Sequence, residues 1–198
     1  MCNIFGFKTT NNQTLNMKET FFNLVIYLKN PILEKDSNTD LKYRFKIFFH
    51  ILIISVATGL IISPIFALIH ELQWVNMENH QVEEMFKGMG VFQMILLGAI
   101  IVPIIEELIF RGPITSFKKP NSFKFGFYFF ALVFGFIHIS NFEMTKNVLI
   151  LSPILVLPQL LLGGYFGYIR VRFGLQWSML MHGTYNGLFI LLGTLSEF

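Results

Sequence analysis

Five apolar runs, at residues 45–69, 89–110, 125–142, 148–169 and 177–195, set the terms for this chain. A run of about 18 or more apolar residues is long enough to cross the hydrocarbon core of a bilayer as a helix. In that medium the backbone must satisfy its own hydrogen bonds, which restricts a spanning segment to helix or closed barrel. Charged residues make up 14% of the 198, against about 25% in an ordinary soluble domain. The sequence therefore predicts an all-α, polytopic membrane helix bundle with about five transmembrane helices.

The basic residues test that segmentation. Seven lie in the N-terminal region up to Lys46, at the start of the first run, one lies between the first and second runs, four follow the second, one follows the third and two follow the fourth. Alternate segments thus hold 13 of the 15, and the positive-inside rule places the N-terminus in the cytoplasm. Glu71, Glu78, Glu83 and Glu84, with His70 and His80, fall in the first outer loop. Residues 1–44 read as a cytoplasmic N-terminal segment, with an amphipathic helix at 17–33 suited to the inner membrane surface and a linker at 34–40. Residues 45–198 read as the membrane domain. The formal charge of +3 carries no nucleic-acid footprint, and the lone cysteine, Cys2, excludes an internal disulfide or a cysteine zinc cluster. No short apolar segment near the start reads as a cleavable signal peptide. The partners expected are the lipid bilayer and a peptide or membrane-protein substrate, with no nucleic acid, and the compact size suggests a bacterial plasma (inner) membrane.

Ionisable groups inside apolar spans are costly and mark function or pairing. The second run ends on Glu106 and Glu107, with Arg111 just beyond; the third holds His138; the fifth holds His182 and Asn186. His50 and Gln159 have no partner pattern and read as structural. Glu107 and Arg111 are four apart, share a helix face and suit a structural ion pair. Glu106 is turned about 100° from Glu107, so it is able to face a cavity between helices. His182 and Asn186 also share a face, and the pairs Gly163/Gly167 and Gly183/Gly187 allow close helix approach. A pocket of Glu106, His138, His182 and Asn186 would let a carboxylate and an imidazole deprotonate a water, with the second His and the Asn amide binding the oxyanion. Taken one at a time, each group also has a plain structural reading, as an interfacial carboxylate, a core histidine or interhelical hydrogen-bond glue.

EELIFR at 106–111 resembles the EExxxR motif of the CPBP family, the CAAX-protease and bacteriocin-processing (Abi) intramembrane proteases. FGFIH at 134–138 resembles its FxxxH motif, and HGTYN at 182–186 its HxxxN motif, in the family's order. The resemblance covers about residues 90–195. It implies that Glu106 and His138 activate the hydrolytic water, that His182 and Asn186 form the oxyanion site, that Glu107 and Arg111 hold the site in shape, and that Phe134 packs beside His138. It also implies a mechanism with no obligate metal. The residues themselves leave zinc open, because Glu106, His138 and His182 would make a Glu/His/His ligand set with a fourth position for water.

The expected function is an intramembrane endopeptidase acting on membrane-associated substrates. The alternatives are a non-enzymatic immunity or scaffold protein of the same family and, more remotely, a transporter or proton-relay component. Full-length CAAX endopeptidases have more spans, so this chain reads as the catalytic core with one preceding helix. Depth sets one condition on the pocket. With the second span ending at residue 110, Glu106 lies near the inner face and His138 deeper, so a shared pocket requires a tilt or a later start of the third span.

Overall fold

The computed structural model describes residues 15–77 and 85–196. Cys2 and the outer-loop residues Glu78, His80, Glu83 and Glu84 lie outside the described residues. Among the described residues the regular structure is all helical. The helices are α1 (Met17–Lys29), α2 (Leu41–Glu71), α3 (residues 91–110), α4 (Pro120–Ile137), α5 (Lys146–Leu155), α6 (Leu157–Phe173) and α7 (Leu175–Ser196). The middle of α3, Ile95–Ile101, is wound as a π-helix. Short 3₁₀ turns, Pro113–Ser116 and His138–Asn141, follow α3 and α4.

Among the described residues four segments are long and apolar enough to cross a membrane: Leu41–Glu71, Val91–Ser116, Pro120–Asn141 and Lys146–Phe173. The chain is a multi-pass membrane helix bundle. The run at 177–195 is realised as α7, which has 22 residues. Gln176, Ser178, His182, Thr184 and Asn186 dilute its apolar content. It is the helix that brings polar side chains into the bundle.

The N-terminal helix forms for local reasons. Asn16 accepts from the Glu19 backbone at 2.9 Å, and Glu19 accepts from the Asn16 backbone at 2.8 Å, a reciprocal capping box. Its buried stripe, Thr20, Leu24 and Tyr27, docks on the bundle rather than on a separate surface, and Leu24 and Tyr27 share one core with Ile47, Ile51, Phe127 and Phe166. Thr20 Oγ1 meets His50 Nδ1 at 2.8 Å, which gives His50 its structural partner. Phe21, Phe22 and Ile26 stay exposed on the outer side. The stretch at 34–40, expected as a linker, is pinned: buried Asp36 binds Arg172 at 2.5 Å and accepts from the Tyr43 hydroxyl at 3.0 Å.

Prolines inside apolar helices leave carbonyls without donors, and each such carbonyl needs a new one. Pro64 strands Leu60 O, and the Ser63 hydroxyl takes it at 3.0 Å. Pro153 strands Leu149 O, and the Ser152 hydroxyl takes it at 2.9 Å. The fourth run, expected to kink at Pro153 and Pro158, is interrupted at one turn residue, Val156, between α5 and α6. In α3 the solution differs. Val102 N–H bonds Leu97 O, five residues back. Pro103, next in that ladder, has no N–H for Gly98 O. Asn186 of α7 supplies the donor, Nδ2 to Gly98 O at 3.0 Å.

Lipid offers no hydrophobic drive between helices, so small residues that allow close packing decide their contacts. A Cβ on Gly183 would lie 2.3 Å from the Ala99 carbonyl oxygen, so only glycine lets α7 approach α3 this closely. Gly163 also lies close to the Ala131 backbone of α4, where an added Cβ would come to 3.3 Å. The later start of the third span that a shared depth called for is not found: that span starts at Pro120. The second span does not stop at residue 110 but continues through a turn and the 3₁₀ segment to Ser116. Arg170 of α6 holds the irregular exit of α3, with Nε donating to Arg111 O at 3.0 Å and Nη2 to Thr115 Oγ1 at 2.8 Å.

The Gly183 contact yields a stability prediction. Gly183→Ala forces backbone apart and should cost about 1–3 kcal/mol, the usual range for overpacking. Thermal unfolding in detergent should show a lowered midpoint for Gly183→Ala. Gly193→Ala, where a Cβ meets nothing within 4 Å, should match wild type.

Candidate active site

The site is built around Glu107, whose side chain has no exposed surface. Its Oε1 lies 3.3 Å from Nη1 of Arg111 and 3.1 Å from Nδ1 of His182. Its Oε2 accepts from the hydroxyl of Ser178. One carboxylate therefore joins its own helix, through the expected i, i+4 pair, to two positions on α7. A buried carboxylate is tolerated only with such a set of donors.

Aromatic rings complete the packing. The Arg111 guanidinium sits 3.7 Å from the Phe134 ring centroid and 5.5 Å from that of Phe166, a cation–π sandwich between α4 and α6. The His182 ring stacks on Phe166 at 4.8 Å and 29°, and stands edge-on to Phe134 at 5.8 Å and 85°. Phe134 also packs against Phe110 at 5.5 Å, which closes α3 on α4 one turn below Glu106.

Glu106 differs from its neighbour in the way that helical phase predicts. Its side chain is 23% exposed, and Oε2 lies 3.5 Å from Nε2 of His182. His182 thus stands between the two glutamates, a position the sequence reading assigned to Glu106 alone. His138 caps the end of α4. Its Nδ1 donates to Phe134 O at 2.6 Å, and its ring packs on Phe134 at 4.8 Å. Glu106, His182 and Arg111 are the charged or chargeable groups in its electrostatic surroundings. Asn186, one turn beyond His182, spends one amide N–H on Gly98 O and keeps a second.

Both histidines offer Nδ1–H to an oxygen that only accepts, so in the neutral ring each Nε2 carries the lone pair. That is the arrangement of metal-binding histidines. The positions do not follow the chemistry. Among the described residues no three His, Cys, Asp or Glu side chains come together closely enough to hold a metal ion.

Three contributors escaped the sequence reading. Ser178 had a legible signal, four residues before His182 on the same face of α7. Phe166 and Arg170 had none, since their roles depend on how α6 packs against α3 and α7. Gln159, read as structural, is half-buried, and its Oε1 has no hydrogen-bond partner.

A family model for the Rce1-like type II CAAX prenyl endopeptidases matches residues 88–188, a segment that contains every residue of this site. No curated protein and no solved structure matches the chain.

The sandwich around Arg111 is testable. Arg111→Lys keeps the charge but loses the planar group held between Phe134 and Phe166, so the exchange is not conservative here. Its unfolding midpoint in detergent should fall clearly below that of wild type, whereas exchange of the exposed Lys118 for Arg should leave it unchanged.

Proposed function

From the premise that the chain belongs to the Rce1-like family of type II CAAX prenyl endopeptidases, we infer that it is an intramembrane endopeptidase. It hydrolyses peptide bonds of membrane-associated substrates with a water activated by Glu106. The observation that carries this reading is the contrast between the two glutamates. Glu107 is sealed and fully used, while Glu106 keeps accessible surface beside His182 and within electrostatic reach of His138.

The chemistry follows from the donors and acceptors present. Glu106, aided by His138, takes a proton from water as the water oxygen attacks the peptide carbonyl carbon. The carbonyl oxygen becomes an oxyanion and accepts from Asn186 and from Nε2–H of His182. Because Nδ1 is committed to Glu107, His182 donates from Nε2 only as the imidazolium, and the flanking carboxylates supply its countercharge. Collapse of the intermediate breaks the C–N bond, and Glu106 returns the proton to the leaving amine. No metal enters these steps. The setting we favour is a bacterial plasma membrane.

A scaffold or immunity role, in which the same residues only staple helices, has one observation in its favour: Asn186 is bonded to the α3 backbone. The two readings separate by experiment. Purified protein in detergent or nanodiscs should cleave candidate substrates, found by comparing N- and C-terminal peptides in membranes of wild-type and Glu106→Ala strains. Loss of a positioned acid–base group costs typically about 10²–10⁴-fold, so Glu106→Ala should fall by that order with normal expression. Chelation with 1,10-phenanthroline should leave wild-type activity within about twofold of control, against the orders of magnitude that positioned catalytic groups supply. Wild-type cleavage by Glu106→Ala would contradict the mechanism. Loss on chelation that zinc restores would contradict its metal-free form.

A further inference from the structure

We propose that Ser178 is a positioning residue for the proposed hydrolysis, acting through Glu107 to hold His182 in register and in one tautomer. The proposal rests on the endopeptidase reading and extends it to a residue outside the three motifs.

Ser178 has no exposed surface, and its hydroxyl donates to Glu107 Oε2. The alternative acceptor for the same proton is the Phe166 carbonyl, 3.2 Å away. Ser178 and His182 are one turn apart on α7 and grip the same carboxylate, one on each oxygen. That division matters because Arg111 is the competitor. A guanidinium beside a carboxylate favours the two-point arrangement in which it holds both oxygens. Here the ion pair runs from Arg111 Nη1 to Oε1. With Ser178 bound to Oε2, turning the carboxylate to present both oxygens to Arg111 would strain that hydrogen bond, and Oε1 stays in line with His182 Nδ1.

The consequence reaches the reacting centre. His182 with Nδ1–H anchored on Glu107 points Nε2 at Glu106 and at the space where substrate reacts. Phe166 adds a second restraint from the same neighbourhood, since its carbonyl faces Ser178 while its ring stacks on His182. Without the Ser178 hydroxyl, Glu107 Oε2 is a buried acceptor lacking a donor, and rotation toward Arg111 is the nearest remedy. His182 then loses its anchor, and either ring nitrogen is able to carry the proton.

The test compares wild type with Ser178→Ala, a smaller side chain that the packed site accommodates. Two quantities are read on purified protein: kcat and KM on an identified peptide substrate, and the ¹⁵N resonances of ¹⁵N-histidine-labelled protein, with His182 assigned from its loss in His182→Gln. The expected result is a kcat about tenfold lower with KM within about twofold, the pattern of a lost transition-state interaction. The His182 Nδ1–H signal should shift or broaden while the other histidines keep theirs. The proposal is overturned if kcat and the His182 resonances match wild type. It is equally overturned if kcat falls only in proportion to the folded fraction with the His182 signals unmoved. If wild-type protein cleaves nothing, the endopeptidase reading fails, and the resonances alone decide whether Ser178 positions His182.

Discussion

A carboxylate with no exposed surface, held among apolar helices, must find every one of its hydrogen bonds inside the protein. Glu107 finds them in Ser178 and His182 of α7, and its charge is met by an ion pair with Arg111 of its own chain segment. Each partner is itself placed by a further contact: Arg111 by the Phe134 and Phe166 rings, His182 by Phe166, Ser178 by the helix that carries it. Four helices, α3, α4, α6 and α7, are thereby tied to one ion. Removing a single partner from such a buried pair costs about 3–5 kcal/mol, because the remaining charge is left without compensation. The half-buried Glu106 is free of that obligation, and chemistry is available to it for this reason.

The same demand governs the backbone. Two of the spanning helices contain prolines whose stranded carbonyls are repaired locally, by the preceding serines Ser63 and Ser152. In α3 the repair comes from another helix, through Asn186 and the π-wound segment before Pro103. The irregular stretch and the close approach at Gly183 fix α7 against α3, and that seam carries His182 beside both glutamates. The hydrogen-bonding needs of helix packing and the geometry of the site are met by the same side chains.

Much of this was legible in the sequence because it depends on local spacing. Apolar run length located the helices, and helical phase separated Glu107 from Glu106 and paired Glu107 with Arg111. Three motifs in order pointed to the family. What stayed hidden depends on contacts across the bundle. The stacking of Phe166 on His182 follows from the register of α6, which no local pattern specifies. The extension of the second span to Ser116 was masked by Gly112 and Pro113, which read as a helix end although Arg170 holds the chain inside the bundle. The docking of α1 was half visible: an amphipathic helix was expected there, and the burial of Leu24 and Tyr27 in the bundle core was not.

The central claim is that two adjacent glutamates divide into one that holds the fold and one that does the chemistry. The most direct measurement is the unfolding midpoint and the specific activity of Glu106→Gln and Glu107→Gln, compared side by side in the same detergent. The account predicts that Glu106→Gln unfolds like wild type and is inactive, while Glu107→Gln unfolds at a distinctly lower temperature and loses activity with it. Equal destabilisation by both substitutions, or a stable and active Glu106→Gln, would contradict it.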